Sequence, residues 1–538
     1  MIQTSISLYQ AVLSNLDEYF ARSVPITIYT PNLSIQGIKL IKEALNNPNI
    51  KVYGGTAKRK TDKMKWLQHN SFGRSCPSTF CIKLSNGVRI YDYSKFDPCE
   101  NPNPEEAQAL CDILVKDYDA PFTPSTIIKN NLDCVNKLQF KNKYGIVIGR
   151  LDDTVQQFTY PSFFGGAVYI LKKNGGYKKI PFETHIDYHQ MYATIMKNRS
   201  FPNFNDNYTV EDGFIDHPLA IYHIGDGRIR LKKDGFPLLV IEKKGVLAED
   251  YFSSFVDIPW KYLTKPDWDI LVDNFEMDPL NPVEIIETFY YNSSISGAAI
   301  FGGFIDYNYQ QRQNSSGAIK RFYKMVNEYL PGTFERKYEV SYIWKDLERP
   351  EQGKIHAFNN IIGTFITAYG RECLNRLLKF FPYDKVIGYD TDCVFFAGKP
   401  EEVPSQILQF MGSGMGQLHF DGVMKDACHL APKQYFGFDL VSGELIAKMA
   451  GVKSAKEVAK NIIDHDYNIA MAPTAEEVFI WDPKVQDYVC EIVPAKVSLE
   501  NFKDYERLLG GPLWQEKIKE MSIRQSQNQQ DQASEMKK

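Results

Sequence analysis

Hydrophobic and polar positions follow two different periods along the first part of the chain. Short apolar runs such as PITIYT and CIKLSNGVRIYDY lie between segments such as IQGIKLIKEAL and PEEAQALCDILVKDY. Short runs bounded by turn residues predict strands, and apolar residues repeated every three to four positions predict helices. Residues 1–150 are therefore predicted to form a mixed α/β domain.

A second region follows the turn-rich segment RLDDTVQQFTYPSFFGGAVYI. Residues 165–262 have a mostly β pattern, whereas KPDWDILVDNF, GAIKRFYKMVNEYL and FITAYGRECLNRLLKFF have helical spacing. The end of the chain is rich in Gln, Ser and Lys and has almost nothing to bury. It is predicted to be a frayed helix or a disordered tail.

Two carboxylates interrupt an apolar run in VIGYDTDCVFF, residues 386–396. If this run is a strand, Asp390 and Asp392 point to the same face, because side chains alternate along a strand. The apolar segments on both sides also fit a hairpin with the acids near its tip. Like charges in such a place cost several kcal/mol unless cations compensate them. A divalent cation is the most economical compensation.

A second acid, Asp187, closes the apolar run in PFETHIDYHQMYATIM, just before a helical pattern. Carboxylates from two adjacent strands suit a pair of metals roughly 3.5 to 4 Å apart, as used in phosphoryl transfer. Mg²⁺ prefers such oxygen ligands, with Mn²⁺ as an alternative. A lone Asp-x-Asp is more often a turn or a solvated strand end, so the second acid is what favours a metal site.

Composition adds limits to this interpretation. A chain of 538 residues with 43% hydrophobic residues needs several domains. A net charge of −4 neither supports nor excludes a polyanionic partner. The nine cysteines show no zinc spacing, no signal peptide is evident, and no run approaches about 18 apolar residues. We expect a cytoplasmic protein, in a bacterium or an infected host cell, with no membrane contact.

These segments resemble the family B DNA polymerases, specifically the protein-primed branch of small phages and linear plasmids. The segment from Asp187 to Tyr192 resembles motif A, and Tyr389 to Cys393 resembles motif C, with Cys393 in place of Ser. The resemblance covers about residues 25–460. It implies a multidomain α/β and α+β protein: a right-hand polymerase with palm, fingers and thumb, and an N-terminal, degenerate ribonuclease H-like exonuclease domain.

The resemblance also assigns the metal and sugar sites. Asp187 and Asp392 would hold the catalytic metals, with Asp390 as a supporting acid in the same metal site. Tyr192 would lie under the nucleotide sugar as a steric gate. The expected cofactor is Mg²⁺, and the expected partners are template and primer DNA, the deoxynucleoside triphosphates and, in this branch, a terminal protein that primes synthesis.

The segment RQNSSGAIKRFYKMVNEYLPGTF resembles motif B, whose basic residues hold the triphosphate. The resemblance gives this role to Arg312, Lys320 and Lys324, the two lysines being one turn apart. A match without gaps puts Glu328 where the motif has Asn, and Gly332 at its Gly. An alternative placement, KIHAFNNIIGTF with Lys354, Asn359 and Gly363, stays open. The first is preferred because it needs no gap.

Two further segments resemble DNA-contacting motifs of this branch. APKQYFGF resembles a Lys-x-Tyr motif, which gives Lys433 and Tyr435 to the primer strand or the incoming phosphates. FFGGAVY resembles a Tyr-x-Gly-Gly linker that contacts the template, with Phe163 in place of Tyr and with Gly165 and Gly166 kept. Glycines let the backbone approach phosphate closely.

The N-terminal domain departs most from the family. Asp17 and Glu18 are adjacent in a helical pattern instead of forming an Asp-x-Glu strand, and Gln36 stands at an expected metal-binding Asp. In the third exonuclease segment, Gln108 precedes Asp112 where Tyr is expected. Without these acids no metal can activate water. We therefore predict that 3′–5′ proofreading is lost.

The resemblance implies boundaries for each part of the hand. They are a shortened exonuclease-like domain at 1–150, palm at 151–264, a first terminal-protein-region-like insertion at 265–310, fingers at 311–334, a second insertion at 335–362, palm at 363–436, thumb at 437–512 and a polar tail at 513–538.

Three functions stay open from sequence. The leading one is a template-directed DNA polymerase without proofreading. The second is a repurposed polymerase that makes untemplated or low-complexity DNA in a defence or mobile-element setting. The third is an inactive nucleic-acid-binding assembly protein. The buried like charges argue against the third, because an inactive chain has no physical reason to keep them.

Overall fold

The structure is a computed structural model that describes four main segments of the chain. They are residues 151–239, 248–334, 359–450 and 455–464, with gaps at 152, 172–173 and 175–177. Outside them it describes short strands near both ends, a strand pair between 337 and 357, and two helical positions, 109 and 113.

Strands and helices alternate throughout the described residues. The strands are β1 (Thr27–Thr30), β2 (Val52–Gly54), β3 (Cys81–Leu84), β4 (Arg89–Asp92), β5 (Val168–Ile170), β6 (Ile180–Tyr188), β7 (Ser200–Pro202), β8 (Tyr208–Asp212), β9 (Ile221–Ile224), β10 (Arg228–Leu231), β11 (Val256–Asp257), β12 (Tyr262–Thr264), β13 (Phe275–Met277), β14 (Ile285–Tyr291), β15 (Ser294–Ser296), β16 (Lys337–Glu339), β17 (Ile355–Ala357), β18 (Val386–Asp390), β19 (Cys393–Ala397), β20 (Leu418–Ala431), β21 (Gln434–Asp439), β22 (Leu445–Met449), β23 (Pro473–Asp482) and β24 (Asp487–Lys496). The helices are α1 (Asp153–Thr159), α2 (Met191–Asn198), α3 (Ala248–Tyr251), α4 (Lys265–Asn274), α5 (Gly303–Gln313), α6 (Gly317–Glu328), α7 (Leu330–Phe334), α8 (Asn360–Leu378), α9 (Ser405–Leu408) and α10 (Ala455–Asp464). A π-helical turn, Ala298–Gly302, leads into α5.

The N-terminal strands form a four-stranded sheet in the order β1-β4-β3-β2. Strands β1 and β4 are parallel, and the other two pairs are antiparallel. The strands predicted in PITIYT and CIKLSNGVRIYDY are confirmed. The residues on which the loss of proofreading was predicted, Asp17, Glu18, Gln36, Gln108 and Asp112, lie outside the described residues, as does the polar tail.

A seven-stranded antiparallel sheet forms the centre of the described chain, in the order β22-β21-β20-β6-β19-β18-β5. Strand β6 therefore lies between β19 and β20, which come more than 200 residues later. This order brings the acids of the two sequence segments together. The sheet continues through β21 and β22, so the palm boundary expected at 436 falls inside a strand of this sheet.

The two faces of the sheet have different environments. Ile186, Val394 and Phe396 are fully buried and pack in one apolar cluster with Leu374 and Leu377 of α8. Because side chains alternate along a strand, Asp187 and Cys393 lie on the opposite face. The helix side of the sheet packs into this cluster, and the other side carries the acids together with a smaller apolar cluster that includes Phe395 and Tyr435.

Helix α8 is buried along most of its length and packs against α2, α4 and α7. Its start at Asn360 precedes the insertion boundary expected at 362. The helices predicted in KPDWDILVDNF, GAIKRFYKMVNEYL and FITAYGRECLNRLLKFF are confirmed as α4, α6 and α8. In the second insertion, β16 and β17 pair in antiparallel fashion.

Helices α5 and α6 pack against each other beside the sheet. Helix α6 is strongly amphipathic: Phe322, Tyr323 and Val326 are buried, while Lys320 and Lys324 lie on its outer face. None of the helices among the described residues is both long and apolar enough to cross a bilayer.

Candidate active site

The acid pair of VIGYDTDCVFF lies at the tip of the β18–β19 hairpin. Asp390 pairs with Cys393, so Thr391 and Asp392 form a two-residue turn. The hairpin prediction is confirmed, but the expectation that both acids share one face of a strand is wrong. Asp392 has left the strand and projects from the turn.

This turn is tight and strained. The amide of Asp392 donates to the carbonyl of Asp390 at 2.7 Å, an i to i+2 bond that defines a γ-turn around Thr391. Thr391 has φ 62°, which is unusual for a β-branched residue. Its amide donates to the carbonyl of Ala167 at 2.7 Å. The segment before β5 therefore fixes the turn from outside.

Asp187 lies beside this turn, one residue from the end of β6. It pairs with Cys393 on one side and with His419 of β20 on the other. The amide of the next residue, Tyr188, donates to the carbonyl of Asp392 at 3.2 Å. The structure therefore brings Asp187 of β6 beside Asp392 of the β18–β19 turn.

Asp187 and Asp392 repel each other in this arrangement. Burial raises the pKa of the Asp187 carboxyl above its usual range, and Asp392 and Asp421 raise it further. Burial likewise raises the pKa of Asp392, with contributions from Asp390 and Glu328. Lys324 of α6 lowers both pKa values, but less than burial and the neighbouring acids raise them.

Asp390 differs from the other two acids because it has its own cation. Lys433 Nζ donates to Asp390 Oδ1 at 2.6 Å, and the Thr391 hydroxyl donates to the same oxygen at 3.1 Å. Lys433 lies in the two-residue turn between β20 and β21 and has φ 61°. The structure thus joins a residue of the Lys-x-Tyr segment to the acid turn.

A cavity of about 590 Å³ lies along the outer face of α6. It is lined by Arg312, Gly317, Lys320, Arg321, Lys324, Met325, Glu328 and Tyr329. The three basic residues expected to bind a triphosphate therefore converge on one cavity. In the alternative placement of motif B, Asn359 and Gly363 are buried at the start of α8, and Lys354 lies outside the described residues.

Tyr192 and the glycine linker meet at the acid turn. Tyr192, in the first turn of α2, packs against Gly370 of α8, where an added Cβ would lie 2.8 Å from Tyr192 Cε1. A Cβ on Gly166 would lie 2.8 Å from both the Tyr192 hydroxyl and Thr391 Cγ2. A Cβ added to Gly165 would have no other atom within 4 Å. Phe163 begins this linker and is partly buried.

A buried ion pair that the sequence analysis missed holds the linker. Arg371 of α8 contacts Asp267 of α4 through two hydrogen bonds, from Nε at 2.7 Å and from Nη2 at 2.8 Å. Both side chains are fully buried. Arg371 Nη1 also donates to the carbonyls of Phe164 and Gly165, each at 2.6 Å. A charged residue inside an apolar helix pattern was the available signal.

A second missed cluster lies under Tyr435, on the face of the sheet that carries Asp187. The fully buried carboxylate of Glu183 contacts His185 Nε2 at 2.6 Å and His429 Nε2 at 2.8 Å. Burial opposes ionisation of Glu183, but its interactions with the two histidines outweigh this and lower its pKa to about 2. The Tyr435 ring stacks on His429 at 5.2 Å and is only 7% exposed.

Two further histidines flank Asp187. The rings of His189 and His419 stack face to face with their centroids 3.7 Å apart and their planes nearly parallel. His419 Nε2 lies 3.9 Å from Asp187 Oδ2 and 3.7 Å from Asp421 Oδ1, too far for hydrogen bonds. Burial, His419 and Arg312 lower the pKa of His189, which favours its neutral form.

No protein-family model matches the chain, and no curated protein matches its sequence. Solved structures do match. Phi29 DNA polymerase in complex with primer-template DNA and incoming nucleotide has a TM-score of 0.65 and 18% identity, over 90% of this chain and 93% of that chain. The chain has the fold of Phi29 DNA polymerase.

Two other states of Phi29 DNA polymerase agree over the same shares of both chains. The post-translocation binary complex with primer-template DNA has a TM-score of 0.61 and 19% identity. The complex with single-stranded DNA has a TM-score of 0.58 and 18% identity. The mixed α/β fold expected from the sequence is thus confirmed at the level of the whole fold.

The donor set at the acid turn fits Mg²⁺. Within the residues that the structure describes, no three acid, imidazole or thiol side chains already surround a common point as metal ligands. Mg²⁺ commonly takes only one or two carboxylates and completes its shell with water and substrate phosphates. Asp187 and Asp392, two crowded carboxylates beside a cationic cavity, suit that requirement.

Proposed function

We propose that the protein is a template-directed DNA polymerase that transfers deoxynucleotides by a two-metal mechanism. The observation that carries this proposal is the placement of Asp187, on β6, beside Asp392, in the β18–β19 turn, together with the cationic cavity that Lys324 lines. The likeness to Phi29 DNA polymerase, solved with primer-template DNA and incoming nucleotide, supports the same function.

Asp187 and Asp392 would hold the metals. When bound, Mg²⁺ would stabilise the attacking 3′ oxygen and the leaving pyrophosphate oxygens. The strained Thr391 turn holds the Asp392 backbone, and β6 holds that of Asp187, so both carboxylates are oriented before substrates arrive. Asp390 would support the site by orienting Lys433 through their hydrogen bond.

The remaining predicted residues would bind substrates. Arg312, Lys320 and Lys324 would bind the triphosphate in their shared cavity. Tyr192, confined by Gly166 and Gly370, would lie under the sugar and leave no room for a ribose 2′-hydroxyl. Lys433 and Tyr435 would contact the primer strand, and the Phe163–Gly166 linker the template.

The test is primer extension on a defined template with Mg²⁺. Asp187→Asn and Asp392→Asn should each reduce extension by at least about a hundredfold, since each removes charge needed to stabilise the transition state. Asp257→Asn is the control, because its carboxylate is 93% exposed and distant in sequence from the sheet. Full activity in either acid variant would refute the assignment of Asp187 and Asp392 as metal ligands.

Three finer parts of the proposal need separate measurements. Protein priming predicts that a protein hydroxyl can replace the primer 3′-OH. Loss of proofreading predicts that a mismatched 3′ end persists when nucleotides are withheld. Sequencing the products made with and without template separates faithful copying from the untemplated synthesis of a repurposed polymerase, because only a templated enzyme returns the complement.

A further inference from the structure

Glu328 is an acid in a cavity otherwise surrounded by positive charge. It is the last residue of α6 and lies one turn after Lys324, whose Nζ is 3.4 Å from Glu328 Oε1. Among the residues that line the cavity, four carry a positive charge and Glu328 alone carries a negative one. Glu328 stands where the resemblance to motif B expects a neutral Asn, and it has no role in the proposed function.

Glu328 interacts electrostatically with the cations of the cavity and with Asp392. Burial raises its pKa, while Lys324 and Arg312 lower it, and Glu328 in turn raises the pKa of Asp392. Lys324 is therefore shared between Glu328 on its own helix and the two acids on the sheet. Any anion that binds Lys324 must displace the Glu328 carboxylate or lie beside it.

We propose that Glu328 is an internal anionic competitor that sets the affinity of the cavity for polyphosphate. This inference rests on the proposed function for the identity of its ligand, a nucleoside triphosphate and the pyrophosphate it leaves. In the free protein, the Glu328 carboxylate forms an ion pair with the Lys324 ammonium group. When the triphosphate binds, Lys324 exchanges the carboxylate for phosphate oxygens, and Glu328 remains nearby as a like charge. After transfer, Glu328 pairs with Lys324 again and promotes the release of pyrophosphate.

Neutralising Glu328 should therefore tighten binding. An exposed ion pair of this kind and one nearby like charge together correspond to about three- to tenfold in affinity. Glu328→Gln keeps the size and most of the shape of the side chain. We expect its dissociation constants for Mg²⁺-dATP and for inorganic pyrophosphate to fall by that factor. In primer extension, KM for the nucleotide should fall by a similar factor.

The measurement is isothermal titration calorimetry of the full chain with Mg²⁺-dATP and, separately, with pyrophosphate. Asp269→Asn is the matched control, because Lys265 and Asp269 form the same i to i+4 ion pair on α4, outside the cavity. It should leave both constants unchanged. Lys324→Gln completes a double-mutant cycle: once Lys324 is absent, Glu328→Gln should gain far less affinity.

Each outcome separates this inference from the proposed function. If the wild-type protein binds neither ligand, the cavity is not a polyphosphate site, and both proposals lose their nucleotide subsite. If it binds both and Glu328→Gln binds equally or more weakly, the competitor role is overturned while the polymerase proposal stands. If Glu328→Gln gains the same affinity with or without Lys324, competition for Lys324 is excluded.

Discussion

The buried pair of Arg371 and Asp267 offers a direct test of how the site is supported. Asp267→Asn keeps the shape of the side chain but removes its charge. Thr264 caps α4 and donates from Oγ1 to Asp267 Oδ2 at 2.8 Å, so the amide that replaces the carboxylate would disturb this bond as well. Arg371 would remain inside the protein without a counter-ion.

The size of the effect follows from the contacts that change. Asn can still accept one hydrogen bond from Arg371 but loses the second charge-assisted bond, worth about 1.5–3 kcal/mol. Leaving a buried charge uncompensated brings the total to roughly 3–5 kcal/mol of unfolding free energy. Replacing both residues, as Arg371→Met with Asp267→Leu, removes the charges. It also leaves the carbonyls of Phe164 and Gly165 without their hydrogen-bond donor. Each unsatisfied carbonyl lowers the free energy of unfolding by roughly 1–3 kcal/mol.

The assay is urea unfolding followed by fluorescence and by circular dichroism, at neutral pH and one salt concentration. Asp269→Asn serves as the control on the same helix, since its exposed ion pair should change stability by less than about 1 kcal/mol. The double variant should be destabilised as well, and primer extension should fall with it. If the free energy of unfolding of Asp267→Asn lies within about 1 kcal/mol of the wild-type value, the ion pair between Arg371 and Asp267 does not stabilise the site as we infer.

Three other predictions test the site separately. Gly166→Ala should strongly reduce primer extension, because its Cβ would lie 2.8 Å from Thr391, whereas Gly165→Ala should retain it; equal activities would refute the packing argument. Glu183 has a lowered pKa, so its stabilising effect is present above about pH 4.5 and is lost as pH falls towards 2. In urea unfolding, the stability difference between wild type and Glu183→Gln should therefore narrow across that window, and a constant difference would contradict the assignment. Asp187 has a raised pKa in the folded protein. Below its unfolded pKa of 3.8 the carboxyl is neutral in both states, and as pH rises through the raised pKa its ionisation increasingly opposes folding. Metal-free Asp187→Asn should thus have a higher Tm than wild type at pH 9, with little difference below pH 4, and the opposite order at pH 9 would refute this.

Sequence alone predicted what depends on local pattern. The helical spacing of α4, α6 and α8 and the apolar run of β6 identify these elements, because their apolar positions follow the local pattern of a helix or a strand. The pair of acids at Asp390 and Asp392 was also visible, since charges in an apolar run require compensation. Features of the candidate site could therefore be named from separate segments.

What sequence could not predict depends on contacts between distant segments. Arg371 and Asp267 are 104 residues apart, and Glu183 and His429 are 246 apart. Nothing in the local sequence around each of these residues indicated its partner. The error at Asp392 has a different origin. A strand pattern cannot reveal a two-residue turn when both turn residues fit the alternation of the strands around them.

The ion pairs of the site share one consequence for how substrates bind. Lys324 is paired with Glu328, and Lys433 is paired with Asp390, so two lysines assigned to phosphates have acids of their own before any substrate arrives. Binding then exchanges one anion for another and does not fill an empty cationic site. The salt dependence of DNA and nucleotide binding should therefore be weaker than the number of lysines implies, because fewer counter-ions are released. Among the described residues, Asp187 forms no ion pair with a lysine or arginine, and His419 Nε2 lies 3.9 Å from its carboxylate. Under the proposed function, Mg²⁺ would supply further positive charge to Asp187, so replacing this acid by Asn is predicted to stabilise the metal-free protein.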